Sequence, residues 1–186
     1  VPEFMELNNK LLIGATSSIY LNIEDTVQIA ATEEEERAQR MKKRMAPVND
    51  VVFTDIENGV IIQKKEFMDK TFLIEDSISL SNWKLTGEQK LVSGLNCMKA
   101  EFIGEEDDST TVIAWFAPEL AIAAGPEGYS GLPGLIVHLD IDDGRTVITL
   151  SKMIIRELDK KEIEVPKKGK KVTQAEYDEI VKVKME

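Results

Sequence analysis

The sequence predicts a mainly β (α+β) fold: a single curved antiparallel sheet or partial barrel, with a C-terminal helix and a polar helix near 32–45. Three observations carry that reading. From Asp50 onward, apolar and polar residues alternate with a period of two, in short runs separated by polar or glycine-bearing turns. Asp143-Gly144 stands between two such runs, and this pair favours a two-residue hairpin turn. Thr173 and Glu176 form a T-x-x-E capping box ahead of a narrow apolar stripe, which starts a helix.

Taken in order, residues 11–23 read as one or two strands around the turn-prone Gly14-Ala15-Thr16. Thr32 is a candidate N-cap for the polar helix, and Pro47 follows its end. Glu33 to Glu36 lead that helix, and Lys42, Lys43 and Arg44 close it, an order that suits the helix dipole. It has almost no apolar face and is expected to be exposed or partly disordered. Strands are then predicted at 51–56, 59–66, 70–75, 82–86, 89–93, 95–103, 110–117, 135–141 and 145–155. Around Asp143-Gly144, Ile141 is set opposite Thr146, Leu139 opposite Ile148 and Val137 opposite Leu150. These residues make one apolar face, and His138, Asp140 and Thr149 fall on the other. A second hairpin joins 95–103 to 110–117 through Gly104–Ser109, with Met98 near Trp115 and Ala100 near Ile113. In the last helix Tyr177, Ile180, Val181 and Lys184 form the stripe.

A chain of 186 residues suits one domain, 1–186, and buries roughly 70% of its unfolded surface without staples. Acidic residues outnumber basic ones 34 to 23, for a net charge of −11. That balance argues against nucleic acid as the main partner, since phosphate binding draws on Lys and Arg. The basic run Lys167-Lys168-Gly169-Lys170-Lys171 reads as a solvated loop leading into the helix. With one cysteine, Cys97, no internal disulfide is possible. No apolar stretch approaches the length of a membrane-spanning helix. The chain opens Val1-Pro2-Glu3 without an initiator Met or a basic leader, so a processed or engineered form is expected.

The run Gly125-Pro126-Glu127-Gly128-Tyr129-Ser130-Gly131-Leu132-Pro133-Gly134-Leu135-Ile136 is the most distinctive in the chain. With Trp83, Gly94-Leu95-Asn96-Cys97-Met98-Lys99-Ala100, Ala114-Trp115-Phe116 and the tail from Pro166, it resembles the GLPGLI family. This is a Porphyromonas-type family of unknown function from Bacteroidetes. The resemblance covers about 80–186, and 7–23 loosely. Where the family usually has Ile-Pro, this chain has Pro118-Glu119-Leu120. The resemblance implies an exported protein, periplasmic or envelope-associated, and supplies no activity.

The candidate binding residues are Tyr129, Gly131, Leu132, Pro133, Gly134 and Leu135. Pro133-Gly134 fits the centre of a type II turn, and Gly131 allows close packing. A strand follows this glycine-rich loop, whereas phosphate cradles open a helix. No catalytic set emerges. His138, the only histidine, falls on a polar strand face, and Cys97 reads as a small buried hydrophobe. One Cys and one His do not make a zinc site. Glu105, Glu106, Asp107 and Asp108 lack the alternation of a calcium loop. The methionines are scattered. No metal or cofactor is expected.

Two function classes remain. One is a non-enzymatic binding module for a peptide, an apolar ligand or a protein partner, with residues 125–136 at its edge. The other is an enzyme of unfamiliar type, such as a hydrolase using acidic residues. A metal-handling role through Cys97, His138 and methionines is a distant third.

Overall fold

The computed structural model describes residues 6–23, 32–34, 37, 50–78, 82–104 and 109–185. The chain is mainly β, as expected, but it builds two sheets rather than one. The first holds β1 (Asn9–Ile13), β2 (Ser17–Asn22), β3 (Val51–Asp55), β4 (Val60–Phe67), β5 (Lys70–Ser77) and β11 (Lys170–Val172), in that spatial order. The second holds β10 (Thr146–Thr149), β9 (Leu135–Ile141), β8 (Val112–Ala117), β7 (Leu95–Phe102) and β6 (Trp83–Val92). A helix, α1 (Gln174–Met185), follows β11. Every pairing is antiparallel except that of β11 with β5, which is parallel. The sheets form no closed barrel among the described residues. Of the expected polar helix, Glu33, Glu34 and Arg37 are helical and exposed, and the remainder lies outside the described residues.

In the first sheet, Tyr20 pairs with Val52, Gln63 with Ile74, and Ile74 with Val172, so these residues share a face. Helix α1 covers one end of that face. Its Tyr177 and Ile180 pack on Phe72, Ile74 and Val172, and Tyr177 meets Phe72 edge-on at 5.5 Å. The capping box forms as expected. Thr173 N donates to Glu176 Oε2 at 2.8 Å, and Glu176 N donates to Thr173 Oγ1 at 3.2 Å. At the other end of the face, Tyr20, Val52 and Ile61 meet Leu11, Ile78 and Ile148.

The second sheet is apolar on both faces at its centre. One face carries Ala100, Ala114, Phe116, Ile136 and Leu139; the opposite face carries Cys97, Trp115, Ala117, Leu135 and Val137. That arrangement explains the unbroken apolar run of β8, Val-Ile-Ala-Trp-Phe-Ala. It also corrects the register of the second hairpin. Ala100 pairs with Ala114 and Met98 with Phe116, one residue away from the expected partners. A strand buried on both sides gives alternation nothing to lock onto.

The Asp143-Gly144 hairpin keeps its predicted register, with Leu139 opposite Ile148 and Leu150 N donating to Val137 O at 2.8 Å. Leu139 is fully buried and Ile148 half-buried. Val137, however, sits with Leu135 and Trp115 rather than with Leu139, because a bulge opposite Trp115 and Phe116 shifts the alternation. The expected strands 82–86 and 89–93 are one strand, β6, broken in register around Gly87. The expected strand 145–155 stops at Thr149; Met153, Ile154 and Ile155 lie outside any regular element and are exposed. The second sheet curls strongly enough that Ser93, at the end of β6, donates through Oγ to Leu150 O, beyond β10, at 2.6 Å.

Candidate functional site

The segment joining β8 to β9 is held by backbone bonds at both ends: Leu135 N to Leu120 O at 3.0 Å, and Ile136 N to Ala124 O at 3.0 Å. Within it, the short 3-10 turn Pro126–Gly128 lies against β2 and β3. Most of its side chains point inward. Leu132 and Leu135 are buried in the two apolar faces of the second sheet, Gly134 is buried, Gly131 and Tyr129 are half-buried, and Pro133 is exposed.

The expected type II turn at Pro133-Gly134 is not what forms. Gly134 N donates to Leu132 O at 2.8 Å, an i to i+2 bond that closes a γ-turn around Pro133. Gly134 has no positive φ; the left-handed residues of the loop are Glu127, Gly128 and Gly131, at φ 55°, 80° and 94°. Glycine is required at 134 by proximity, because a Cβ there would stand 2.4 Å from Ala117 O and 3.0 Å from Pro118 Cα.

Around Tyr129 the structure gathers an aromatic trio that the sequence reading did not assemble. Trp83, Phe102 and Tyr129 meet edge-to-face, with centroids 5.0 to 6.2 Å apart. Such geometry suits the aromatic quadrupole. Trp83 Nε1 donates to Ser130 O at 2.9 Å, which fastens the loop to β6. The signal was present in the sequence as separate fragments, since Trp83 pairs with Phe102 across the β6–β7 ladder.

All three rings are half-buried and continue into open apolar surface on the same face. Leu85 pairs with Ala100, Gln89 with Met98 and Leu91 with Asn96, so these side chains share the face of Trp83. Leu85 is 51% exposed and Leu91 70% exposed. A shallow pocket of about 220 Å³ ends this strip, lined by Gln89, Asn96, Cys97, Met98, Pro118 and Glu119. Gly134 packs against its rim at Pro118. The distinctive loop is therefore a buttress of the open face, and Tyr129 is its contribution to the surface.

The remaining sequence candidates stand apart from this strip. His138 Nδ1 is 2.8 Å from Thr149 Oγ1 on the opposite face of the sheet. Partial burial and then Lys90 push its pKa down, against the pull of Asp140. Cys97 is buried, and burial pushes its thiol up, away from the thiolate that nucleophilic chemistry needs. Among the described residues, no three His, Cys, Asp or Glu side chains cluster as metal ligands. The acidic run 105–108 lies outside the described residues. No described helix is long and apolar enough to cross a membrane.

A family model described as a protein of unknown function (Porph_ging) matches residues 103–138, the stretch from the end of β7 through most of β9. None of the curated proteins matches. Among solved structures, the chain is similar to PNGF-II in P21 and C2 space groups, at 17% and 18% identity and a TM-score of 0.58. The match covers 90% of this chain and 28% of PNGF-II, so the chain spans little more than a quarter of that protein's length. At this identity the likeness concerns the fold.

Proposed function

We propose that this chain is a non-enzymatic binding module that takes an extended apolar peptide segment of a protein partner on the open face of β6 and β7. The observation that carries the reading is a set of apolar side chains on one face, with the half-buried Trp83, Phe102 and Tyr129 at one end, the exposed Leu85 and Leu91 along β6 and the pocket beside Met98. Exposed apolar groups gathered on one face mark interaction sites. The amides of Gln89 and Asn96 lie at the pocket, where they suit a peptide backbone. Among the described residues β6 is an edge strand, a position that suits strand addition. The resemblance to an exported family supports placing the protein at the cell envelope, and fractionation of the native protein tests that placement.

The test is peptide capture from a displayed library, followed by affinity measurement on variants. Leu85→Asp and Leu91→Asp change exposed side chains and should leave the melting temperature nearly unchanged. Each should weaken binding roughly tenfold or more, since a buried Leu contributes about 1.5–3 kcal/mol. Equal affinity in the double variant would refute the site. The hydrolase reading has less support. The acidic residue that projects from the distinctive loop, Glu127, is open to solvent rather than enclosed with a nucleophile or substrate cleft.

A further inference from the structure

The pocket beside Met98 carries one charge. Gln89 from β6, Asn96 and Met98 from β7, and Pro118 and Glu119 from the turn after β8 line it. Gln89 pairs with Met98 and Leu91 with Asn96, so these side chains share a face, and Leu91 adjoins both amides in the ladder. Glu119 is tied to the opposite wall, because its Oε1 accepts from Asn96 N at 3.2 Å.

That bond commits one carboxylate oxygen and leaves the other. Among the described residues, Glu119 Oε2 has neither a hydrogen-bond donor nor an ion-pair partner. The lysines of the neighbouring rungs are engaged on the other face of the sheet, Lys90 opposite Cys97 and Lys99 opposite Trp115. Lys99 Nζ lies 3.0 Å from Glu88 and 3.8 Å from Glu101, and Lys90 Nζ lies 4.0 Å from the Trp115 ring centroid. The pocket measures about 220 Å³, below the roughly 300–1,000 Å³ of small-molecule sites. Its size suits one long side chain.

We propose that this pocket is a subsite for a basic residue, lysine or arginine, of the apolar peptide bound along β6. The inference rests on the peptide-binding reading above and names the residue that fixes the peptide's register. The aliphatic stem of the basic residue lies against Met98 and Pro118, and its cationic head reaches Glu119 Oε2. The amides of Gln89 and Asn96 each offer a carbonyl acceptor as well as N–H groups, so they can serve the cation and the peptide backbone together. An acidic residue at this position meets the like charge of Glu119. An apolar one leaves the carboxylate without a partner as the peptide covers it, which carries a desolvation cost. The net charge of −11 draws a basic segment toward the chain from a distance. A lone carboxylate is a poor set for a divalent metal, which takes six or more oxygen ligands.

The experiment uses two fluorescein-labelled peptides, Thr-Val-Lys-Val-Thr-Val and its twin with norleucine in place of lysine, titrated with the intact chain and read by anisotropy. Norleucine keeps the four-carbon stem and removes the ammonium. The lysine peptide should bind roughly fivefold tighter, the scale of one charge-assisted hydrogen bond at a partly covered site. Glu119→Gln, which keeps an oxygen for Asn96 N, should bring the two peptides to equal affinity without changing that of the norleucine peptide or the melting temperature. Glu75→Gln, an exposed acid on the first sheet, should leave the lysine preference intact. The Leu85→Asp, Leu91→Asp variant should lose the norleucine peptide, which reports the apolar face alone. Equal affinity of the two peptides for the parent, with the norleucine peptide still lost in that variant, overturns the subsite and leaves the apolar face standing. A lysine preference that falls as much in Glu75→Gln as in Glu119→Gln overturns it too, since net charge then accounts for it. Failure of both peptides to bind the parent removes the apolar-face reading and the subsite with it.

Discussion

Glycine at 134 and glycine at 144 are needed for different reasons, and substitution separates them. A Cβ at 134 collides with the backbone of Ala117, which cannot swing away as a side chain would, so Gly134→Ala should lose about 1–3 kcal/mol. A Cβ at 144 meets open space, but Gly144 sits at φ 86°, so Gly144→Ala should lose about 1 kcal/mol. Chemical denaturation of both variants checks the order. Glu127 makes a pH prediction of its own. Its folded pKa is raised, so its contribution to stability is fully present below the unfolded value of 4.5 and is lost as pH rises through the folded one. Glu127→Gln should therefore melt higher than the parent at neutral pH and lose that advantage in acid. Residue chemistry was the most legible level of the sequence. Cys97 is buried and His138 bonds Thr149, both as their strand positions implied. Pro133-Gly134 misled, because close approach and positive φ both select glycine and only three dimensions tell them apart.

Elements were legible wherever a local signal specified them. The capping box at Thr173 is one such signal, and Thr173→Ala should cost about 1 kcal/mol, read from the thermal midpoint and the helical circular dichroism. The segment after β10 shows the opposite case. Its apolar residues suggested a strand through 155, but the chain leaves the ladder at Thr149 and is organised further on by Arg156 and Glu162. Arg156 grips Glu162 with two bonds, of 2.9 and 2.6 Å, and Glu162 also accepts from Asp159 N. The Arg156 bond, first, and the Asp159 amide lower the Glu162 pKa from 4.5 to about 2. A lowered carboxylate stabilises above its unfolded pKa and loses that contribution as pH falls toward the folded one. The Asp159 and Lys161 amides should accordingly stay protected from exchange above pH 4.5 and lose protection between there and about pH 2. Nothing in a period-two pattern announces such a clamp, since it replaces ladder bonds with side-chain ones.

For the whole molecule, short-range pairings were readable and long-range ones were not. Alternation and turn residues specify which strands become hairpins, as β4–β5, β7–β8 and β9–β10 do. That the strands divide between two sheets depends on contacts such as Leu11 and Ile13 against the Trp115 cluster, far apart along the chain. The open strip on β6 and β7 was equally hidden, because Tyr129 joins the Trp83–Phe102 pair only after the β8–β9 segment folds back. The exposed hydrophobes on that strip and at Ile154 and Ile155 carry a solubility consequence as well. A Leu85→Asp, Leu91→Asp double variant should remain monodisperse at higher concentration than the parent in light scattering.

The parallel pairing of β11 with β5 has a consequence in time rather than space. β5 is complete early, yet the strand that seals its outer edge is made about 90 residues later, a delay of roughly 5–20 s at ordinary translation speeds. Throughout that interval Phe72 and Ile74 lack the cover of Val172 and Tyr177, and the edge of β5 offers unpaired backbone to any passing strand. Nascent chains halted before Lys170 should therefore be bound by holdase chaperones and aggregate when released. Chains halted well beyond α1, with the helix clear of the ribosome, should do neither.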